Sequence, residues 1–252
     1  MTEAPARHGA ALVTGGAKRI GRAICLELAA AGFDVAIHHR ASADEAARLA
    51  DEIKALGRRA VCLSADLADV VATHELIGRA REALGPLSVL VNNASVFADD
   101  RLESITGESW AGHMDVNLRA PVLLAQVFAR QAPRGSAIIN ILDQRVLKPD
   151  PRFFTYGLSK SALWFATRTM AQELAPRIRV NGVGPGPTLP SVHQAAGEFE
   201  AEARGTPLQR PGSPEAIAAA VRWLVDADLV TGQMIAVDGG QHLAWQTPDI
   251  VE

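Results

Sequence analysis

From residue 9 to about residue 240, short aliphatic or β-branched runs alternate with longer stretches of helical period. That rhythm is the mark of βαβ units and restricts the chain to a parallel sheet covered by helices. The runs at 11–14, 35–38, 60–63, 89–92, 137–141, 178–183 and 234–237 predict seven strands. Helices are expected near 20–31, 44–56, 70–84, 108–130, 155–175 and 214–225, several of them stopped by a glycine such as Gly32, Gly57 or Gly85. With right-handed crossovers, the expected fold is a single α/β domain over residues 1–252. It is a Rossmann-type, doubly wound domain: a seven-stranded parallel sheet, helices on both faces and a ligand crevice at the carboxyl ends of the strands.

With 48% apolar and 21% charged residues in 252, the composition excludes long disorder and low-complexity scaffolds. The net charge of −3 is spread without long runs of one sign, which argues against nucleic-acid wrapping and against adhesion to a membrane surface. Charges such as Arg119 and Arg130 interrupt every apolar run long enough to span a bilayer, and residues 1–10 show no secretory pattern. The expected location is the cytoplasm. Cys25 and Cys62 sit in apolar segments without C-x-x-C spacing and read as small buried hydrophobes. One stretch breaks the rhythm: residues 184–213 are rich in Gly and Pro around a helical patch at 192–204. So long an irregular connection points to a substrate lid at about 187–212.

After the first strand, Thr14-Gly15-Gly16-Ala17-Lys18-Arg19-Ile20-Gly21 leads into a helix. Glycines at such a turn let the backbone approach a pyrophosphate, whose charge then meets the helix N-terminus. Where an acid would hold a 2′-hydroxyl, at the end of the second strand, the chain reads His38-His39-Arg40-Ala41-Ser42. Arg40 and Ser42 suit a 2′-phosphate, so NADPH/NADP is the expected cofactor. His38 and His39 point to opposite faces of a strand, no other histidine has ligand spacing, and no metal is expected.

Tyr156 and Lys160, four apart, share one helix face, where an ammonium lowers the pKa of a phenol toward that of a working general acid. Asp143 ends the fifth strand, at the crevice. Joined to Asn92-Asn93-Ala94-Ser95, Asn117, Pro185-Gly186 and Val237-Asp238-Gly239-Gly240, this set resembles the short-chain dehydrogenase/reductase family over roughly residues 9–243. The resemblance implies that Tyr156 protonates the substrate, that Lys160 holds the nicotinamide ribose and tunes Tyr156, and that Asn117 supports a relay water. It further implies that Asp66 and Leu67 flank adenine, that Asn93 and Ala94 line the adenosine ribose, and that Gly15, Lys18, Arg19, Ile20, His39, Arg40, Ser42, Ser95, Pro185 and Gly186 complete the cofactor site.

Most of that family carries serine where this chain has Asp143 and glycine where it has Arg19. A serine donates to a developing alkoxide, whereas a carboxylate only accepts, and a second anion beside Tyr156 favours the protonated phenol. Asp143 therefore suits a donor-rich nitrogen heterocycle, which Phe97 could stack against and Arg19 could cover. These features resemble the pteridine reductase branch, with Thr-Gly-x-x-x-Arg-x-Gly, His39-Arg40 and Asn-Asn-Ala-Ser-x-Phe97. That resemblance implies NADPH-dependent reduction of a dihydropteridine such as dihydromonapterin, dihydrobiopterin or dihydrofolate, with Arg19, Phe97, Asp143 and Tyr156 at the substrate. The alternatives are a carbonyl, 3-oxoacyl or sugar reductase of the same family, and a non-catalytic NADPH-binding sensor. The family resemblance also implies a homotetramer, to which the apolar residues Leu243, Ala244 and Trp245 could contribute.

Overall fold

The computed structural model describes residues 9–190 and 197–245. Its sheet contains β1 (Ala10–Val13), β2 (Asp34–His39), β3 (Ala60–Ser64), β4 (Leu87–Asn92), β5 (Ser136–Ile141), β6 (Ile178–Pro185) and β7 (Met234–Val237). All pairings are parallel, in the order β3-β2-β1-β4-β5-β6-β7. The helices are α1 (Arg19–Ala30), α2 (Ala43–Ala55), α3 (Val70–Leu84), α4 (Gly107–Met114), α5 (Ala120–Gln131), α6 (Phe154–Leu174), α7 (Glu198–Arg204) and α8 (Pro214–Asp226).

Both faces of the sheet are dry along its central strands, which is why these read as continuous apolar runs. Leu12, Ala36, Leu90 and Ile138 point to one face and pack with Leu76 of α3 and with Leu124 and Phe128 of α5. Their neighbours Val13, Ile37, Val91 and Ile139 point to the other, against Ile24 and Leu28 of α1, Leu49 of α2 and Val221 of α8. Each such fully buried aliphatic side chain contributes about 1.5–3 kcal/mol. Strand order reverses between β1 and β4, and the crevice opens at the carboxyl ends of those two strands.

Most expected boundaries move by one to three residues, and β6 runs on to Pro185 because Gly184 and Pro185 pair with Ala236 and Val237. The helix expected at 108–130 is not continuous. A π turn, Asp115–Arg119, separates α4 from α5 and holds Asn117. Of the helical patch expected at 192–204, Glu198–Arg204 is helical and residues 191–196 lie outside the described residues. Cys25 is buried as expected, whereas Cys62 is only partly so, and both thiols are free.

Candidate active site

The phosphate turn is shaped by steric necessity. Gly15 has φ +60°, and a Cβ on Gly21 would lie 2.1 Å from the Gly15 carbonyl oxygen. Arg19, at the first position of α1, has φ +52°, a conformation that explains the glycine more usual there and costs a non-glycine residue roughly 1–2 kcal/mol. Across the turn, the Asn93 side chain donates to the Thr14 and Gly15 carbonyls at 2.8 and 3.1 Å, joining β4 to β1. Unlike α3, α4 and α8, capped by Asp69, Thr106 and Ser213, α1 has no side-chain cap and no acid in its first turn. Its N-terminal amides are left for an anion.

A cleft of about 390 Å³ adjoins this turn, lined by Gly15, Lys18, Arg19 and Ile20 and by Asp66, Leu67, Asn93, Ala94 and Ser95. His38 and Arg40 line it too. The histidine expected there, His39, lines neither this cleft nor its neighbour, and its Nδ1 is buried without a hydrogen bond. Strand alternation puts His39 on the opposite face of β2 from His38. Ser42 also lies outside both cavities, as the residue preceding α2. His38 is the residue sequence reasoning passed over. Its Nδ1 accepts from the Gly15 N–H at 3.1 Å, so the proton is on Nε2, which donates to the Ala65 carbonyl at 3.1 Å. Burial pushes its pKa down from 6.5 to about 4.

Adjoining this cleft through Arg19, Ile20, Asn93 and Ser95 is a larger cavity of about 980 Å³. Phe97, Asp143, Tyr156, Lys160, Pro185 and Gly186 all line it. Tyr156 donates from its phenol to Asp143 Oδ2 at 2.7 Å. The same carboxylate accepts from the Arg145 N–H at 2.8 Å and from Arg145 Nη1 at 3.4 Å. Lys160 Nζ donates to the Ile141 carbonyl at 2.8 Å and stands 5.7 Å from the Tyr156 ring centroid.

The electrostatics reverse one expectation. Burial first, and then the Asp143 charge and hydrogen bond, hold the Tyr156 phenol well above its ordinary pKa of 10.0, against a smaller opposing pull from Arg145. Burial pushes the Lys160 ammonium itself down from 10.5 to about 8. The phenol at rest is protonated and directs its hydrogen at Asp143.

Arg19 donates to the Pro190 carbonyl at 3.1 Å, so the phosphate turn is tied to the segment that follows β6. Asn117 is fully buried and spends its side chain on protein: Oδ1 accepts from the Val96 N–H at 2.8 Å, and Nδ2 donates to the Val96 carbonyl and to Ser159 Oγ. A relay water would therefore have to use its backbone. Phe97 has one ring face stacked on Phe153 at 4.3 Å and lies edge-on to Tyr156 at 4.8 Å. Arg145, which sequence reasoning missed, sits over both Phe97 and Phe153 at 5.9 and 5.4 Å while pairing with Asp143 and Asp150. Its signal was a guanidinium two residues past a carboxylate at a strand end, where a buried charge needs a partner.

This fold and this convergence of phenol, ammonium and glycine turn define a nucleotide-dependent oxidoreductase architecture. The family model described as enoyl-(acyl carrier protein) reductase matches residues 15–242, and the chain belongs to the short-chain dehydrogenase/reductase family. A solved structure of FolM alternative dihydrofolate reductase 1 from Brucella canis, complexed with NADP, is similar at a TM-score of 0.93 and 47% identity, covering 97% of this chain and 98% of that one. An uncharacterized oxidoreductase of Mycobacterium tuberculosis is 37% identical over 91% of this chain and 90% of its own length. The 3-oxoacyl-[acyl-carrier-protein] reductase FabG of Staphylococcus epidermidis is 33% identical over 92% and 98%. Among the described residues, no helix is long and apolar enough to cross a membrane.

Proposed function

We propose that this protein reduces a dihydropterin to its tetrahydro form at the expense of NADPH. The observation that carries the reading is the 2.7 Å contact between Tyr156 and Asp143. Asp143 is met by three donors, as suits an acceptor-only carboxylate, and cannot donate to a ketone oxygen as a serine would. It can accept N–H groups from a reduced pterin. The similarity to the Brucella FolM protein, named as an alternative dihydrofolate reductase, supports the same substrate class.

The residues present fit the cofactor. The uncapped start of α1 and the crowded Gly15–Gly21 turn suit a diphosphate. Lys18 and Arg40 supply cations for a 2′-phosphate, Asp66 and Leu67 a slot for adenine, and Asn93, Ala94 and Ser95 a wall for ribose. Lys160, Pro185 and Gly186, which line the larger cavity, would face the nicotinamide. When bound, NADPH supplies the hydride that the carbon of the C=N bond takes up. The nitrogen of that bond takes its proton from Tyr156. The phenolate left behind stands against the Asp143 charge, which drives rapid reprotonation of Tyr156. Arg145 holds Asp143 in place throughout, by backbone and side chain. The segment at 187–212, tethered by Arg19, is proposed to close over the substrate, and assembly as a cytoplasmic homotetramer is proposed, with Leu243 and Trp245 exposed for contact.

The similarity to FabG favours one rival, reduction of a 3-oxoacyl group or simple ketone. A panel of dihydrobiopterin, dihydromonapterin, dihydrofolate and simple ketones, offered with NADPH and separately with NADH, tests the proposal. Turnover of a dihydropterin with NADPH is expected; turnover of ketones alone would overturn it.

A further inference from the structure

The chain has a single tyrosine. We infer that Asp100, Thr155 and His113 form a buried positioning relay that fixes Tyr156 against Asp143 and Phe97; this rests on the reading of Tyr156 as the proton donor.

The need for such a device starts at the helix that carries the phenol. The residue before α6, Phe153, lies in the left-handed region at φ +56° and supplies no side-chain cap. Asp100, from the loop after β4, caps the helix instead. Its carbonyl accepts from the Phe154 N–H at 3.0 Å, and its Oδ1 accepts from the Thr155 N–H at 2.9 Å. The Thr155 hydroxyl donates to Asp100 Oδ2. Its own lone pair then accepts from His113 Nδ1 at 2.6 Å.

The direction of the chain is set by its far end. The Ala98 N–H can only donate, and it meets His113 Nε2 at 3.2 Å. His113 is thus neutral with its proton on Nδ1, and burial lowers its pKa in agreement. Asp100, His113 and Thr155 are 5%, 1% and 0% exposed, so a break in the chain strands a polar group out of reach of water.

This chain runs through the backbone neighbours of two residues that line the larger cavity. Ala98 follows Phe97, Thr155 precedes Tyr156, and the rings of Phe97 and Tyr156 meet edge to face at 4.8 Å. His113 stands 6.1 Å from the Tyr156 ring, edge to face. None of the relay residues lines the cavity, so none touches substrate; they act through Tyr156 and Phe97.

The test compares the wild-type protein with Thr155→Val, which removes the hydroxyl, and Thr155→Ser, which restores it. With ring-labelled tyrosine, the protein gives the NMR signal of Tyr156 alone. Thr155→Val is expected to move or broaden that signal and to lower kcat on a dihydropterin about tenfold or more, with KM for NADPH nearly unchanged. Thr155→Ser is expected to restore both. If Thr155→Val does not fold, His113→Asn carries the test: it keeps a donor for Thr155, leaves the Ala98 N–H unpaired, and is expected to disturb the same signal. An unchanged tyrosine signal in the folded variant would overturn the inference, as would Thr155→Ser failing to restore it. Because the signal is read without turnover, a wild-type protein inactive on every pterin but with a shifted signal in Thr155→Val would sink the proposed substrate and leave the relay standing.

Discussion

The phenol of Tyr156 donates to Asp143 Oδ2 across 2.7 Å, so the proton-bearing group and the carboxylate that distinguishes this chain from most of its family form one unit. After burial, the Asp143 charge is the main reason the phenol holds its proton above its ordinary range. Asp143→Asn removes that charge and should bring Tyr156 ionisation to lower pH. The single tyrosine makes this measurable as one phenolate transition in an ultraviolet titration. A transition that stays where the wild-type protein has it would count against the coupling.

Lys160 gives a second pH signature. Its folded pKa, pushed down to about 8, lies below the unfolded value of 10.5, so the unfolded chain binds more protons between those limits. Stability of the cofactor-free protein should gain from this residue as pH rises from 8 toward 10, by about 3 kcal/mol over the full interval. Chemical unfolding of Lys160→Met over the same range should lack that rise.

His38 acts on the acid side. With its folded pKa near 4 against 6.5, its contribution to stability is complete above pH 6.5 and is lost as pH falls through 4. Protonation of the folded protein also removes the acceptor for the Gly15 N–H, so NADPH affinity should weaken as pH falls through about 4. His38→Gln should flatten this acid limb in titrations of NADPH binding.

Two glycines make a matched pair. Gly21→Ala would drive a Cβ to 2.1 Å from the Gly15 carbonyl and 2.6 Å from Asn93 Nδ2, distorting the phosphate turn. NADPH affinity should fall by about 2–3 kcal/mol, close to a hundredfold. In the middle of α3, Gly78→Ala meets nothing within 4 Å and should stabilise the fold by about 0.5–1 kcal/mol without touching the cofactor.

How much of this was legible beforehand depends on the range of the force involved. Strands buried on both faces announce themselves as apolar runs, and a carboxylate ending one of them had to meet the crevice, so the sheet and the Asp143–Tyr156–Lys160 cluster followed from local pattern. Which of two adjacent histidines faces a cleft depends on strand register, and here His38 does while His39 does not. The stacking of Phe153 on Phe97 hangs on one left-handed residue before α6, and no periodicity encodes that. The π turn at Asn117 likewise arises from tertiary bonds to Val96 and Ser159. Of two opposed expectations for the phenol, the one resting on the Asp143 charge holds and the one resting on Lys160 does not, because helix spacing places Lys160 near Tyr156 but cannot say that the ammonium hydrogen-bonds the Ile141 carbonyl while the phenol donates to Asp143.

The substrate assignment is tested most directly by replacing Asp143 with serine and comparing kcat/KM for a dihydropterin and for a simple ketone. The account predicts a loss of about 10²–10⁴ on the pterin, with ketone turnover unchanged or improved. Retention of pterin activity by Asp143→Ser, with ketone reduction already dominant in the unsubstituted protein, would contradict it.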